Sequence, residues 1–108
     1  MSKYCIIGTG KQGTAALYDL LLFSDAKTIL LIDSCKDSFK RLSDIINPSL
    51  FKKTKIIFEV VDIHDTSKLR ELLKPIDVML SSVPYQFNLM LTEIAIDSKT
   101  SMVDLGGH

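Results

Sequence analysis

The sequence holds few cysteines and carries no net charge. Cys5 and Cys35 are the only cysteines, and because they lack metal-ligand spacing they are predicted to be free thiols in a reducing compartment. Thirteen basic residues balance thirteen acidic ones, so the formal net charge at pH 7 is zero. A balanced charge gives no reason to expect a nucleic acid or an anionic membrane as a partner.

A long apolar run is also lacking. The most apolar stretch, residues 15–23, is short and is interrupted by Asp19, so no segment is expected to span a bilayer. The first four residues lead directly into a strand-like run and lack the layout of a signal peptide. We therefore expect a cytoplasmic protein without a membrane partner.

What the chain does have is a regular alternation of short β-rich runs with longer segments of helical period. Its 108 residues allow one domain, and 46% hydrophobic residues are typical of a globular protein. Strands are predicted over 4–7, 28–32, 56–61, 77–80 and 101–105. Helices are predicted over 11–23, from Ser34 as N-cap to about Ile46, from Thr66 as N-cap to Pro75, and after Pro84.

The predicted strands are near-continuous apolar runs, so both faces of the sheet should be covered by helices. Right-handed crossovers then favour an α/β protein with a Rossmann-type, doubly wound parallel sheet of five strands in the order 3-2-1-4-5. The flavodoxin-like order 2-1-3-4-5 has the same succession of elements, so the motifs must decide. In the last helix, Phe87, Leu91, Ile94 and Ala95 have the spacing of a buried stripe.

Three of the five glycines lie between the first strand and the first helix, with the spacing Gly8-x-Gly10-x-x-Gly13. Gly8 allows a tight turn, Gly10 lets the backbone approach a pyrophosphate, and Gly13 lets helix and sheet pack closely. The N-terminus of the helix attracts an anion. Lys11 and Gln12 are the first two residues of this helix and are predicted to contact the cofactor. A P-loop is excluded because that motif requires a glycine five positions before Gly10.

An acid follows the glycine loop at the distance typical of dinucleotide-binding proteins. Asp33 lies twenty residues after Gly13, at the end of the second predicted strand, where a carboxylate accepts hydrogen bonds from the adenosine ribose. A 2′-phosphate would be repelled by Asp33, so NAD is the favoured cofactor. Ser34 is also predicted to contact the cofactor. Together with Lys36 and Arg41, it keeps NADP as an alternative cofactor.

Asp62, just after the third predicted strand, could reach the adenine amino group of a dinucleotide. Its alternatives are a helix cap or a solvated surface charge. His64 has no recognisable partner and is predicted to be a surface histidine in the same loop. No Ser/His/Asp arrangement, carboxylate pair or metal cluster is recognisable in the sequence.

Two later segments are more specific than the glycine loop: SSVPYQFN from Ser81 and VDLGGH from Val103. Together with IGTGKQGTAALYDL near the start, they resemble the saccharopine dehydrogenase family, most closely its lysine 6-dehydrogenase-like members. The resemblance covers only the N-terminal, NAD(P)-binding half of that family, so residues 1–108 are expected to be a fragment whose substrate domain is absent. The resemblance also places further residues at the cofactor or the reacting centre: Ser82, Val83, Pro84, Asp104 and Gly106.

The resemblance implies hydride transfer between a nicotinamide cofactor and the C–N bond of an amino-acid substrate. The chain alone is expected to bind the dinucleotide without turnover, and no general acid or base is assigned. The alternative is a regulatory nucleotide-sensing module of the kind found in potassium-uptake systems, which shares the glycine loop and the strand-end acid but not the two later segments. An unpartnered fifth strand would expose an edge, which could lead to a homodimer or to aggregation.

Overall fold

The computed structural model describes residues 2–46 and 53–105, which form a five-stranded sheet flanked by helices. The strands are β1 (Lys3–Ile7), β2 (Thr28–Asp33), β3 (Lys55–Val60), β4 (Val78–Ser81) and β5 (Ser101–Asp104). The helices are α1 (Lys11–Phe23), α2 (Lys36–Ile45), α3 (Thr66–Leu73) and α4 (Asn88–Ser98), and a 3₁₀ turn over Tyr85–Phe87 precedes α4.

The strands are all parallel and lie in the order β3-β2-β1-β4-β5. The predicted Rossmann-type order is confirmed and the flavodoxin-like alternative is wrong. At the end of β1, Ile7 is paired with Ile32 of β2 on one side and with Ser81 of β4 on the other. The chain leaves β1 toward β2 and later returns on the far side to β4, so a crevice opens at these carboxyl ends.

Two apolar layers hold the helices on the sheet. Leu17 of α1 and Leu42 of α2 belong to the layer on one face, and Leu69 of α3 and Leu91 of α4 belong to the layer on the other. Each of the four is no more than 1% exposed. Full burial of a leucine contributes about 2 kcal/mol, so these layers fix where each helix, and the loop before it, stands relative to the strand ends.

The edge strands are less covered than their apolar sequences predict. On β3, Phe58 and Val60 are 40% and 50% exposed, and on β5, Val103 is 47% exposed. A helix about 10 Å across covers roughly two strands spaced about 4.8 Å apart. Two helices on each face therefore cannot cover five strands, and the prediction of covered faces is correct only for the central ones.

Two predicted N-caps are each wrong by one residue. The N-cap of α2 is Cys35 rather than Ser34, and its N–H donates to Oδ1 of Asp33 at 2.9 Å. The N-cap of α3 is Asp65 rather than Thr66, and its carboxylate accepts the N–H three residues on at 3.2 Å. At both helices an aspartate carboxylate accepts a backbone N–H near the N-terminus, where the helix dipole favours a negative charge.

The segment after Pro84 begins as a 3₁₀ turn, and regular α-helix starts only at Asn88. Leu91, Ile94 and Ala95 are buried as predicted, whereas Phe87 is not. The predicted stripe is wrong at Phe87 because a 3₁₀ turn has about 3.0 residues per turn, which rotates this side chain off the buried face of α4.

Candidate functional site

The glycine loop between β1 and α1 is shaped by close backbone contacts. Gly8 has φ +89°, a left-handed conformation that glycine adopts without strain. A Cβ on Gly13 would lie 2.0 Å from the carbonyl oxygen of Gly8, whereas a Cβ on Gly10 would have no atom within 4 Å. Gly8 and Gly13 therefore shape the loop, and Gly10 leaves its outer surface open to a ligand.

Ser82 ties the end of β4 to this loop. Its N–H donates to the carbonyl of Ile7 at 2.9 Å, and its hydroxyl donates to the carbonyl of Gly8 at 2.7 Å. On the other side of the loop, the N–H of Gly8 donates to the carbonyl of Ile32 at 2.8 Å. The loop is thus held between β2 and β4, and contact of Ser82 with a cofactor stays a prediction.

Asp33 is held by the protein through three hydrogen bonds. Its Oδ2 accepts the N–H of Thr9 at 2.9 Å and the Thr9 hydroxyl at 2.6 Å. Its Oδ1 accepts the N–H of Cys35 at 2.9 Å. A carboxylate has about four acceptor positions, so one position on Oδ1 is left for a ligand. Thr9 is 1% exposed and was not among the predicted site residues, because the motif leaves its position unspecified.

Five of the predicted site residues meet at a cleft of about 160 Å³ above the carboxyl ends of the strands. We call it the base cleft. The predicted residues lining it are Gly8, Asp33, Ser34, Val83 and Pro84. The remaining lining is apolar and comes from Ile7, Ile32, Val61, Ile63 and Phe87. A mainly apolar cleft with one carboxylate in its wall suits a ring attached to a hydroxyl-bearing sugar.

Other predicted residues lie outside the base cleft. Gly10 and Lys11 line an open cleft between α1 and α2 together with Arg41, and Gln12 lines a groove on the other side of α1. Gly106 lies outside the described residues. Lys11 and Gln12 therefore stand on different sides of the helix start, and their contact with a cofactor stays a prediction.

Asp62 and His64 form a local unit at the rim of the base cleft. Oδ1 of Asp62 accepts both the N–H of His64 at 2.8 Å and its ring Nδ1 at 2.9 Å. These bonds, the backbone one first, lower the pKa of the Asp62 carboxyl. The prediction that His64 lacks a partner is wrong, and the signal that could have revealed one is the Asp-x-His spacing of a side chain that bonds the backbone two residues on.

Asp104 lies on the β5 side of the crevice, beside β4. It is the register partner of Ser81, and Oδ2 of Asp104 accepts the side-chain amide of Asn88 at 2.9 Å. Asn88 is the first residue of α4, so this bond ties the helix start to the end of β5. The predicted contact of Asp104 with the reacting centre is separate from the base cleft and stays a prediction.

The described segments, 2–46 and 53–105, contain no group of three or more His, Cys, Asp or Glu side chains arranged to hold a metal ion. Within the same segments, none of the helices has the length and apolarity needed to cross a membrane. Cys5 and Cys35 are free thiols, as predicted, and burial raises the pKa of Cys5.

Gly13→Ala and Gly10→Ala should differ sharply in stability. At Gly13 the added methyl would overlap the Gly8 carbonyl, so we expect a loss of several kcal/mol in the free energy of unfolding. At Gly10, where φ is −71° and the space is open, we expect a change within about 1 kcal/mol. Urea denaturation measures both free energies of unfolding. Equal losses would contradict the conclusion that Gly13 is required for the packing of the loop and Gly10 is not.

Thr9→Val should loosen Asp33 without creating a cavity. The substitution keeps the N–H bond and the side-chain shape but removes the hydroxyl that donates to Oδ2. Because a hydrogen bond to a charged group contributes about 1.5–3 kcal/mol, we expect a loss of that size in the free energy of unfolding. Thr9→Ser retains the hydroxyl and should lose less; a Thr9→Val variant as stable as the wild type would show that the bond contributes nothing.

The Asp62 carboxyl should titrate below its ordinary value. Because its folded pKa is lowered, the stabilisation is present above the unfolded pKa of about 3.9 and is lost as pH falls through the folded pKa. An NMR titration of the carboxyl carbon should show the lowered pKa in the wild type. His64→Ala should raise it only part of the way, since the backbone N–H remains. An Asp62 pKa at the ordinary value in the wild type would contradict the observed bonds.

The solved structures that superpose on this chain include several dehydrogenases. Saccharopine dehydrogenase (L-Glu forming) from Saccharomyces cerevisiae superposes with a TM-score of 0.75 at 24% identity, covering 96% of this chain and 21% of that chain. A short-chain dehydrogenase/reductase from Veillonella parvula in complex with NADP gives 0.66 at 14% identity, covering 95% and 46%. Shikimate 5-dehydrogenase from Listeria monocytogenes, in complex with shikimate and NAD, gives 0.59 at 18% identity, covering 98% and 46%.

At these identities the structural likeness shows the fold, and the chain spans about a fifth of the length of the yeast enzyme. The family match rests on the sequence. Residues 4–107 match the family described as the saccharopine dehydrogenase NADP-binding domain, from the first strand through the last of the three motifs. The match covers nearly the whole chain, and the protein therefore belongs to the saccharopine dehydrogenase NADP-binding domain family.

Proposed function

We propose that this domain binds a nicotinamide dinucleotide across the carboxyl ends of β2, β1 and β4. The observation that carries the proposal is the open surface at Gly10, where a Cβ would meet no protein atom. The rest of the loop is tightly packed, so a bare backbone at this one point fits close approach of a pyrophosphate. The N-terminus of α1 begins at the next residue and supplies unpaired N–H groups for the phosphate oxygens.

The adenosine end of the dinucleotide fits beside Asp33. The remaining acceptor position on Oδ1 would take one ribose hydroxyl, while the bonds from Thr9 and Cys35 keep the carboxylate in place. Asp33 stands in the wall of the base cleft. A ribose bonded there would therefore bring its attached base into the apolar part of the cleft.

Of the two dinucleotides, we propose NAD as the preferred one. A phosphate on the ribose 2′-oxygen would lie against the Asp33 carboxylate, and like charges at close range repel each other. The family description names NADP, and the cations that could offset the repulsion are Lys11 and Arg41 of the neighbouring cleft, with Lys36 at the start of α2. The balance between Asp33 and these three cations sets the selectivity.

In the whole protein, the domain would serve an oxidoreductase that acts on the C–N bond of an amino acid. The nicotinamide, when bound, supplies hydride transfer. The contribution of this domain is to bind and orient it, and we propose that the domain alone binds without turnover. A regulatory nucleotide-sensing module is not favoured, because the family match includes the segments around Pro84 and Asp104 that such modules lack.

Two further features of the whole protein belong to the same proposal. The free thiols of Cys5 and Cys35 fit a reducing compartment such as the cytoplasm. The outer edge of β5 has no neighbouring strand within the described sheet, and a homodimer through this edge would satisfy its backbone groups. The amino-acid substrate would be contacted mainly by residues outside this domain.

Calorimetric titration of the 108-residue chain with NADH, NADPH, ADP and ATP tests the proposal. We expect NADH to bind, and NADPH to bind more weakly. Asp33→Ser should weaken NADH binding about tenfold and reduce or reverse the preference over NADPH, since it removes both an acceptor and the repulsive charge. Failure of both dinucleotides to bind, or a preference for ATP or ADP, would overturn the proposal.

Gly10→Ala provides a matched variant for the same titration. Because the added methyl touches no protein atom, the variant should fold, yet the methyl would stand between the loop and the pyrophosphate. We expect NADH affinity to fall at least tenfold while the urea midpoint changes little. Unchanged affinity in the folded variant would show that the pyrophosphate does not approach this loop.

A further inference from the structure

The outer wall of the base cleft is formed by two loops that come from distant strands. Ile63 belongs to the loop between β3 and α3, and Phe87 belongs to the 3₁₀ turn between β4 and α4. In the sheet, β2 and β1 lie between β3 and β4. Any contact between the two loops therefore passes over the ends of those strands, where the base cleft opens.

Such a contact exists between two aromatic rings. The ring of His64, next to Ile63, meets the ring of Phe87 edge-on, with centroids 5.6 Å apart and planes at 81°. This is a preferred geometry for an aromatic pair. Phe87 is half-buried and stands off the buried face of α4, so the contact with His64 helps to set the direction of its ring.

His64 is itself held in place from one side. Both its backbone N–H and its ring Nδ1 bond the same oxygen, Oδ1 of Asp62, at 2.8 and 2.9 Å. The His64 side chain is 74% exposed, and an exposed ring without such bonds would sample several rotamers. The pair with Asp62 limits the imidazole to a narrow range of orientations and so presents it to Phe87.

Together these contacts form a chain from Asp62 through His64 to Phe87, and the last of the three lines the base cleft. We propose that Phe87 is the aromatic wall against which the adenine base packs, and that His64 and Asp62 are positioning residues that hold this wall. The inference rests on the proposed function, since the base reaches the cleft only if the ribose bonds Asp33. It gives Asp62 a task other than the predicted contact with the adenine amino group.

The chemistry of the cleft favours a planar heteroaromatic ring. Apart from Asp33 and Ser34, the side chains lining the cleft are aliphatic, with Phe87 as the one aromatic ring. A purine has two flat apolar faces, and packing a base on an aromatic side chain is a general and strong mode of recognition. Because packing depends on the shape and contact area of the ligand, the Phe87 ring should bind a purine more tightly than a smaller ring.

The test measures binding of AMP and ADP-ribose, which carry adenine, and of nicotinamide mononucleotide, which does not. Phe87→Leu should weaken AMP and ADP-ribose about fivefold to tenfold and leave nicotinamide mononucleotide unchanged. Phe87→Tyr keeps the ring and should retain most of the affinity. The matched control is Phe23→Leu, the same change at a phenylalanine that is 83% exposed at the far end of α1.

The positioning residues are tested on the same ligands. His64→Ala and Asp62→Ala should each weaken AMP and ADP-ribose about twofold to fivefold. The double variant should be no weaker than either single one, because the residues act through one contact. Asp62→Asn keeps an oxygen that accepts both bonds and should restore most of the affinity, which loss of a general surface charge would not explain.

The outcomes separate the inference from the function on which it rests. If Phe87→Leu changes AMP and ADP-ribose affinity no more than Phe23→Leu does, the aromatic wall is wrong even though the dinucleotide binds. If Phe87→Leu does not fold, His64→Ala decides, because its exposed side chain can be removed without opening the core. If the wild type binds none of the adenine ligands, both the proposed function and the inference about Phe87 are wrong.

Discussion

The glycine loop depends on one steric constraint: the carbonyl oxygen of Gly8 occupies the space where residue 13 would carry a Cβ. The approach is 2.0 Å from that ideal Cβ position, so the loop can close onto the first turn of α1 only if residue 13 is glycine. This closure places the backbone of Gly10 on the outside. It also brings the Gly8 carbonyl to the Ser82 hydroxyl, which joins β4 to the loop. The open surface at Gly10 and the contact between Ser82 and Gly8 therefore both depend on the absence of a Cβ at Gly13.

Asp33, which we propose as the group that binds the ribose, also has a structural role. Three protein donors hold its two oxygens, and these bonds fix the direction of the carboxylate before any ligand arrives. The bonds cost acceptor capacity, because a ribose bound here would have only the remaining position on Oδ1. In exchange, the group need not be ordered when the ligand binds, which lowers the entropic cost of association. The same bonds join the glycine loop through Thr9 to the start of α2 through Cys35, so the proposed adenosine end of the site is one connected unit.

Much of the fold and of the candidate site could be predicted from the sequence, because the motifs that indicate them are short and occur at fixed positions relative to the strands. Right-handed crossovers favoured the strand order 3-2-1-4-5, the resemblance to the saccharopine dehydrogenase family implied it, and the structure confirmed it. Thr9 was missed because its partner is 24 residues away and no periodicity connects them. Phe87 was misplaced because helical spacing cannot reveal that its turn is 3₁₀. At the start of α3, Asp65 and Thr66 are both good capping residues, and only the path of the backbone decides between them.

The described residues make different contacts on the two sides of the crevice. On the β2 and β3 side, the base cleft has walls, a fixed carboxylate and an aromatic contact that closes its rim. On the β5 side, the side-chain amide of Asn88 donates to Asp104, and the N–H of Leu105 donates to the carbonyl of Ser81. Binding interactions far from the reacting atoms can hold a cofactor in the orientation that the reaction needs. The walls and the held carboxylate on the β2 and β3 side therefore suit this domain to anchor a dinucleotide by its adenosine end.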